Sequence, residues 1–235
     1  MGRVWLITGA SRGIGEAVAR QAAAAGDEVV LVARGERVEQ VAAELGGSAV
    51  RADLGDPGTL PAVVDAAVAR HGRIDVLVNN AGIHRSGKLE AVTLETFQSV
   101  VTTNLIGPFE LCRLAAPHMG EGSAIVNIGA IVGLRGFVGD SPYGAAKAGL
   151  TGLTLVLAVE LARRKITVNC VVPGLTDTEI VADLDDVARE QILRKIPLRR
   201  MAQASEIAAV VHWVAATPYM TGAVIPVDGG MMAQL

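Results

Sequence analysis

Aromatic residues make up only 3 % of this 235-residue chain: three Phe, two Trp and two Tyr. A tyrosine inside a recognisable pattern therefore carries information. Cysteine is scarce too. Cys112 and Cys170 stand alone without metal-ligand spacing, so both read as core packing in a reduced compartment. Charge is balanced at a net −3, with 19 % charged and 51 % hydrophobic residues. That excludes a basic nucleic-acid binder and a disordered chain. No apolar run reads as long and unbroken enough for a membrane span. The opening "MGRVWLITGA" lacks a cleavage site and the full apolar stretch of a secretion signal, and Gly2 lacks the following Ser or Thr of a myristoylation site. The expectation is a cytoplasmic protein without nucleic-acid or membrane partners.

What is present is alternation. "RVWLIT", "EVVLVA", "SAVRA", "IDVLVN", "AIVNIG", "ITVNCVV" and "AVIPV" read as seven strands, several apolar throughout, as parallel strands covered on both faces should be. Helical stretches fall near 14–25, 36–45, 58–70, 93–118, 142–163 and 203–216. The pattern predicts an α/β fold of Rossmann type, a doubly wound seven-stranded parallel sheet with helices on both faces, in one domain over 1–235. The segment 175–200 is longer than an ordinary connection and reads as a substrate lid or as a surface helical insertion.

The first strand runs into "TGASRGIG", Thr8 to Gly15. Gly9, Gly13 and Gly15 permit a tight turn and close backbone approach, while the following helix aims its free N–H groups at an anion. Ser11, Arg12 and Ile14 complete this candidate pyrophosphate loop. The second strand ends in Ala33 and Arg34, with no carboxylate before Glu36. Arg12 and Arg34 beside an adenosine ribose would pair with a 2′-phosphate and favour NADP(H) over NAD. Later in the chain, Tyr143 and Lys147 are four residues apart and share one helix face. A buried ammonium and an oxidised nicotinamide beside a phenol would each favour its phenolate, so such a Tyr can serve as general acid in reduction and general base in oxidation.

These motifs, with "NNAG" at Asn79 to Gly82, "PG" at Pro173 and Gly174, and "VDGG" at Val227 to Gly230, occur in one order over nearly the whole chain. In that order they resemble the short-chain dehydrogenase/reductase family, most of all its 3-oxoacyl carrier-protein reductases and polyketide ketoreductases. The resemblance implies cofactor contacts at Asp53 and Leu54 for the adenine, and at Asn80, Ala81 and Gly82 beside the nicotinamide ribose. It adds Pro173, Gly174 and Thr176 at the nicotinamide and Thr178 at a phosphate, with Tyr143 and Lys147 also touching the cofactor. It implies that Asn104 links Lys147 to solvent through water.

In the resembling family a Ser thirteen residues before the Tyr bonds the substrate carbonyl oxygen. Here that position is Ala130. Three readings stand side by side: a change introduced into the chain, another donor of which Ser141 is the nearest, or NADP binding without fast chemistry.

The implied activity is NADPH-dependent reduction of a 3-oxoacyl thioester or polyketide ketone. The alternatives are oxidation of a secondary alcohol or sugar, and an NADP-binding protein of little turnover. Arg163, Arg164 and Lys165, with Arg194, Lys195, Arg199 and Arg200, are candidate docking cations for an acidic carrier protein. The nearly all-apolar stretch Ala148 to Ala162 calls for cover on more than one side, as a homotetramer would provide.

Overall fold

The computed structural model describes residues 2–177, 190 and 193–233. All seven anticipated strands form: β1 Val4–Thr8, β2 Glu28–Ala33, β3 Ser48–Arg51, β4 Val76–Asn79, β5 Ala124–Ile128, β6 Thr167–Pro173 and β9 Val224–Val227. They make one parallel sheet in the order β3-β2-β1-β4-β5-β6-β9. Two short strands, β7 Thr176–Asp177 and β8 Ala202–Gln203, pair in parallel and tie together the ends of the long connection. They are too short to leave a periodic signal in the sequence.

Strand alternation explains the continuous apolar runs. Trp5 and Ile7 of β1 enter one core, with Val18, Ala19 and Ala22 of α1 (Gly13–Ala24), Val38 and Val41 of α2 (Arg37–Glu44), and Ile207, Val211 and Val214 of α7 (Ala204–Ala215). Val4 and Leu6 of the same strand enter the opposite core. There they meet Leu60, Val63 and Val64 of α3 (Leu60–His71), Leu111 and Cys112 of α5 (Gly107–Ala115), and Ala158 of α6 (Ser141–Leu161). Successive side chains point to opposite faces, so each strand serves two helical layers. Burying one such Leu or Ile is worth about 1.5–3 kcal/mol.

The helical stretch expected over 93–118 forms in successive parts. α4 (Leu94–Val101) runs through a π turn, Thr102–Ile106, into α5. That turn carries Asn104 into the interior, where it is fully buried.

One expectation is corrected. Among the described residues, Ser141–Arg164 is by length and composition long and apolar enough to cross a bilayer, with 24 residues and hydropathy 1.5. Its glycines, alanines and threonines interrupt the run to the eye, but its Leu and Val residues outweigh them in the average. In the fold, Ala146, Lys147, Leu150, Thr154 and Ala158 of this helix are buried, while Leu155, Val156 and Val159 stay exposed on its outer side.

Strand order reverses between β1 and β4, and the loops after these strands open a crevice at the carboxyl edge. That is where ligands bind in open α/β sheets.

Candidate active site

The glycine loop is built for close approach. Gly9 and Gly13 have φ of +64° and +58°, a conformation that L side chains seldom adopt. A Cβ on Gly15 would lie 2.3 Å from the Gly9 carbonyl oxygen. The loop is tied to the end of β4: Asn80 Nδ2 donates to the Thr8 and Gly9 carbonyls at 2.9 and 3.2 Å. The Asn80 and Ala81 amides donate to the Thr8 hydroxyl at 2.9 and 3.0 Å. Arg12 precedes α1 in extended backbone without a side-chain cap on the helix. The first-turn N–H groups of α1 therefore face the loop opening, a setting for an anionic phosphate. Ser11 and Ile14 flank the same turn, and Ile14 lines the main cavity.

The Ala10 amide bonds the Val32 carbonyl at 3.2 Å, which sets the glycine loop beside the end of β2. Arg34 is exposed there, 3.7 Å from Asp53 Oδ2. Glu36 turns to Arg51 at 3.5 Å instead. Asp53 also accepts the Gly55 amide at 2.8 Å, and Leu54 is buried under α5 against Gly107.

A cavity of about 430 Å³ follows the loop. Asn80, Gly82, Ala130, Tyr143, Lys147, Pro173, Gly174 and Thr176 are all on its wall, so the chain's scattered motifs converge on one space. Gly174 passes so close to Asp228 that a Cβ would sit 2.7 Å from its Cα. Asp228 in turn accepts the Gly230 and Met232 amides at 2.9 and 2.7 Å, so "VDGG" braces the exit of β6. Thr176 is buried, with its hydroxyl 3.3 Å from the Gly174 carbonyl. Thr178 lies outside the described residues, as does most of the segment expected to form a lid; its ends Leu175, Thr176 and Lys195 line the cavity.

Asn104 holds the loop after β4 in both directions. Its Oδ1 accepts the Ile83 amide at 2.9 Å and its Nδ2 donates to the Ile83 carbonyl at 2.8 Å. Lys147 is buried and donates to the Ile128 carbonyl at 2.7 Å. Burial pulls its pKa down to about 8. Its Nζ is 5.6 Å from the centre of the Tyr143 ring. Of the two influences expected to favour the phenolate, the ammonium alone does not prevail: burial first, then the Asp140 carboxylate, push Tyr143 up to about 12. Desolvation outweighs an ammonium at that distance.

Ala130 leaves β5 in extended backbone and presents only a methyl to the cavity. Ser141 does not replace the absent hydroxyl. It opens α6 on the exposed side and lines a separate cavity of about 240 Å³ with Gly87, Gly136 and Gly144.

Two polar residues of the main cavity lay outside the sequence reading. His84 Nε2 is 2.8 Å from Asp140 Oδ1. The His84 ring stands edge-on to Tyr143, with centroids 5.0 Å apart and planes at 85°. His84 comes two residues after "NNAG" and Asp140 three before Tyr143, and these offsets are the signal that points to them.

The candidate docking cations are partly spent on the fold. Arg164 donates to the Ala116 and Met119 carbonyls at 2.6 and 2.7 Å, and Lys165 pairs with Glu121 at 2.6 Å. Arg194 pairs with Glu190 at 2.8 Å and Arg200 with Glu206 at 2.7 Å.

Comparison with known proteins agrees with this arrangement. The family profile described as enoyl-(acyl carrier protein) reductase matches residues 9–232. The human 3-oxoacyl-[acyl-carrier-protein] reductase is 39 % identical over 236 residues, 98 % of either chain. The enzyme of the same name, FabG, from Staphylococcus aureus is 40 % identical over 237 residues, 96 % of either chain. Among solved structures, a short-chain dehydrogenase from Burkholderia cenocepacia in complex with NADP superposes with a TM-score of 0.93 at 35 % identity, covering 99 % of this chain and 98 % of that one.

Proposed function

This chain belongs to the short-chain dehydrogenase/reductase family, and we propose that it is an NADPH-dependent ketoreductase acting on a 3-oxoacyl thioester. The observation that carries the proposal is the meeting of Tyr143 and Lys147, one helical turn apart, in the cavity that opens onto the glycine loop. The residues present fit a dinucleotide. A Cβ at Gly9 or Gly15 would meet the protein's own atoms, Gly13 has φ of +58°, and α1 begins at the loop with no side-chain cap. Arg12 and Arg34 would take the 2′-phosphate, with Asp53 and Leu54 at the adenine. Asn80, Ala81, Gly82, Pro173, Gly174 and Thr176 would surround the nicotinamide riboside. Bound there, NADPH supplies a hydride to the ketone carbon.

The chain's own part is proton delivery and orientation. Tyr143 is a neutral phenol at neutral pH, and burial reinforces that form by pushing its pKa up to about 12. It is therefore in the form that donates its Oη proton to the carbonyl oxygen as the alcohol forms. Lys147 spends one of its three N–H donors on Ile128. The remaining two would hold the ribose hydroxyls and thereby set the cofactor against Tyr143. Asn104 fixes the loop after β4, and through it the floor of the riboside site.

Leu175, Thr176 and Lys195 at the cavity support a lid role for 175–200. The exposed apolar face of α6, Leu155, Val156 and Val159, supports covering by further copies of this chain in a homotetramer. The substrate is a free or carrier-protein-bound thioester. Arg163 and Lys195 are the docking candidates for the carrier, because Arg164 and Lys165 are engaged elsewhere.

The test is consumption of NADPH with an acetoacetyl thioester, read by absorbance. Turnover that Tyr143→Phe abolishes is the expected result. No consumption, with tight NADPH binding retained, would replace this reading by that of a binding protein, which the methyl of Ala130 favours.

A further inference from the structure

A carbonyl oxygen undergoing reduction profits from two hydrogen-bond donors. Among the described residues of the cavity, Tyr143 is one, and Ala130 has nothing to give. Asn80 Nδ2 is bonded to the Thr8 and Gly9 carbonyls and the Thr176 hydroxyl to that of Gly174. Lys147 Nζ is bonded to the Ile128 carbonyl, with its other two donors assigned above to the ribose. Lys195 lines the cavity at the end of the long connection, whereas His84 stands edge-on to Tyr143.

His84 is partly exposed and, among the described residues, has one side-chain hydrogen-bond partner. Its Nε2 meets Asp140 Oδ1 at 2.8 Å. The two loops that carry the pair are bonded through the Gly87 amide and the Gly139 carbonyl at 2.9 Å. Asp140 is anchored to the start of α6, where its carbonyl accepts the Gly144 amide at 2.7 Å. An ionised carboxylate only accepts, so Nε2 carries a hydrogen and the ring's remaining nitrogen is Nδ1. Nδ1 donates when the imidazole is doubly protonated and accepts when it is neutral.

We propose that His84, oriented by Asp140, is the second hydrogen-bond donor to the substrate's carbonyl oxygen, beside Tyr143, where Ala130 offers none. The assignment rests on the ketoreductase reading and deepens it. In the step, the hydride goes to the carbonyl carbon and the Tyr143 proton to the oxygen. The Nδ1 proton of His84 stays where it is and stabilises the negative charge that develops on the oxygen. The groups facing His84 are Asp140 and Tyr143 from the start of α6, with Lys147 deeper and Lys195 on the lid side of the cavity. Arg85 and Lys88 follow on its own loop.

The experiment compares kcat and kcat/KM for the acetoacetyl thioester in wild type, His84→Ala, His84→Gln, Ala130→Ser and the double variant His84→Ala/Ala130→Ser. His84→Ala should lower kcat about 100-fold, as loss of a preorganised donor does. Adding Ala130→Ser should restore most of that loss, whereas Ala130→Ser alone should change the rate by less than about tenfold. His84→Gln keeps an N–H donor and should retain most of the activity. An unchanged kcat in His84→Ala overturns the proposal, as does an equal gain from Ala130→Ser in both backgrounds, or a loss in His84→Gln as large as that in His84→Ala. If the wild-type chain does not reduce the thioester, the thioester reading fails by itself. His84 is then judged by the ¹⁵N resonances of its ring in the complex with NADP⁺ on adding trifluoroethanol. A displaced Nδ1 resonance upholds the assignment, and an unmoved one overturns it.

Discussion

Lys147 Nζ lies 2.7 Å from the carbonyl oxygen of Ile128, the last residue of β5. The buried ammonium thus has a backbone acceptor and no carboxylate partner among the hydrogen bonds and ion pairs described. Burial accordingly pulls its pKa from 10.5 to about 8. Between those values the unfolded chain binds more protons than the folded one, so this residue's contribution to stability rises with pH. Urea unfolding of the cofactor-free protein should show wild type gaining on Lys147→Met by about 3 kcal/mol as pH climbs from below 8 to above 10.5. A difference that stays flat over that range would mean that the ammonium is better solvated than its burial implies. Using the variant as reference cancels the opposite trend from Cys112, whose thiol burial pushes up to about 12.

Tyr143→Phe removes the proton donor and leaves the ring packing against His84. NADPH affinity, read by fluorescence, should change by less than about threefold, while kcat falls by at least about 1,000-fold. Residual turnover above that level would assign the proton to another group.

Arg34 stands at the end of β2, where Glu36 is drawn away to Arg51. Replacing it by Ala removes a charge-assisted bond to a 2′-phosphate, worth about 1.5–3 kcal/mol. The Kd for NADPH should rise about ten- to a hundredfold, with that for NADH nearly unchanged. Equal weakening of both cofactors would show that Arg34 contacts something other than the phosphate.

Gly15→Ala sets a methyl 2.3 Å from the Gly9 carbonyl oxygen. Backbone cannot yield that far without opening the loop. The variant should lose cofactor binding and about 1–3 kcal/mol of stability, the usual cost of overpacking. Calorimetry with and without NADPH checks both, and a cofactor-induced rise in Tm as large as that of wild type would refute it.

Much of this was legible beforehand because it rests on local rules. Each strand is a short apolar run between turns, and the glycine loop, Tyr143 and Lys147 sit at fixed spacing within single elements. What escaped depends on pairings across the chain. His84 and Asp140 are 56 residues apart in sequence; each is marked only by its offset from a motif, and their pairing shows only when two loops bring them together. Ser141 looked able to substitute for the absent hydroxyl because it is near Tyr143 in sequence. On the helix it starts, two residues away means another face. The upward shift of Tyr143 is hidden for a similar reason: a neighbouring charge can be counted in a sequence, while the depth of burial cannot.

The π turn at Thr102–Ile106 has one last consequence. It accommodates one residue more than a regular α-helical ladder would, and Asn104 reaches Ile83 from within it. Deleting one residue of the turn would leave the composition and hydropathy of the helix almost untouched and would let the ladder close into a regular α-helix, with α4 and α5 keeping their facing. Asn104 would lose the bulge from which it reaches Ile83. The turn is therefore slack in the helix that is spent on one side chain. A single-residue deletion between α4 and α5 should cost more activity than stability.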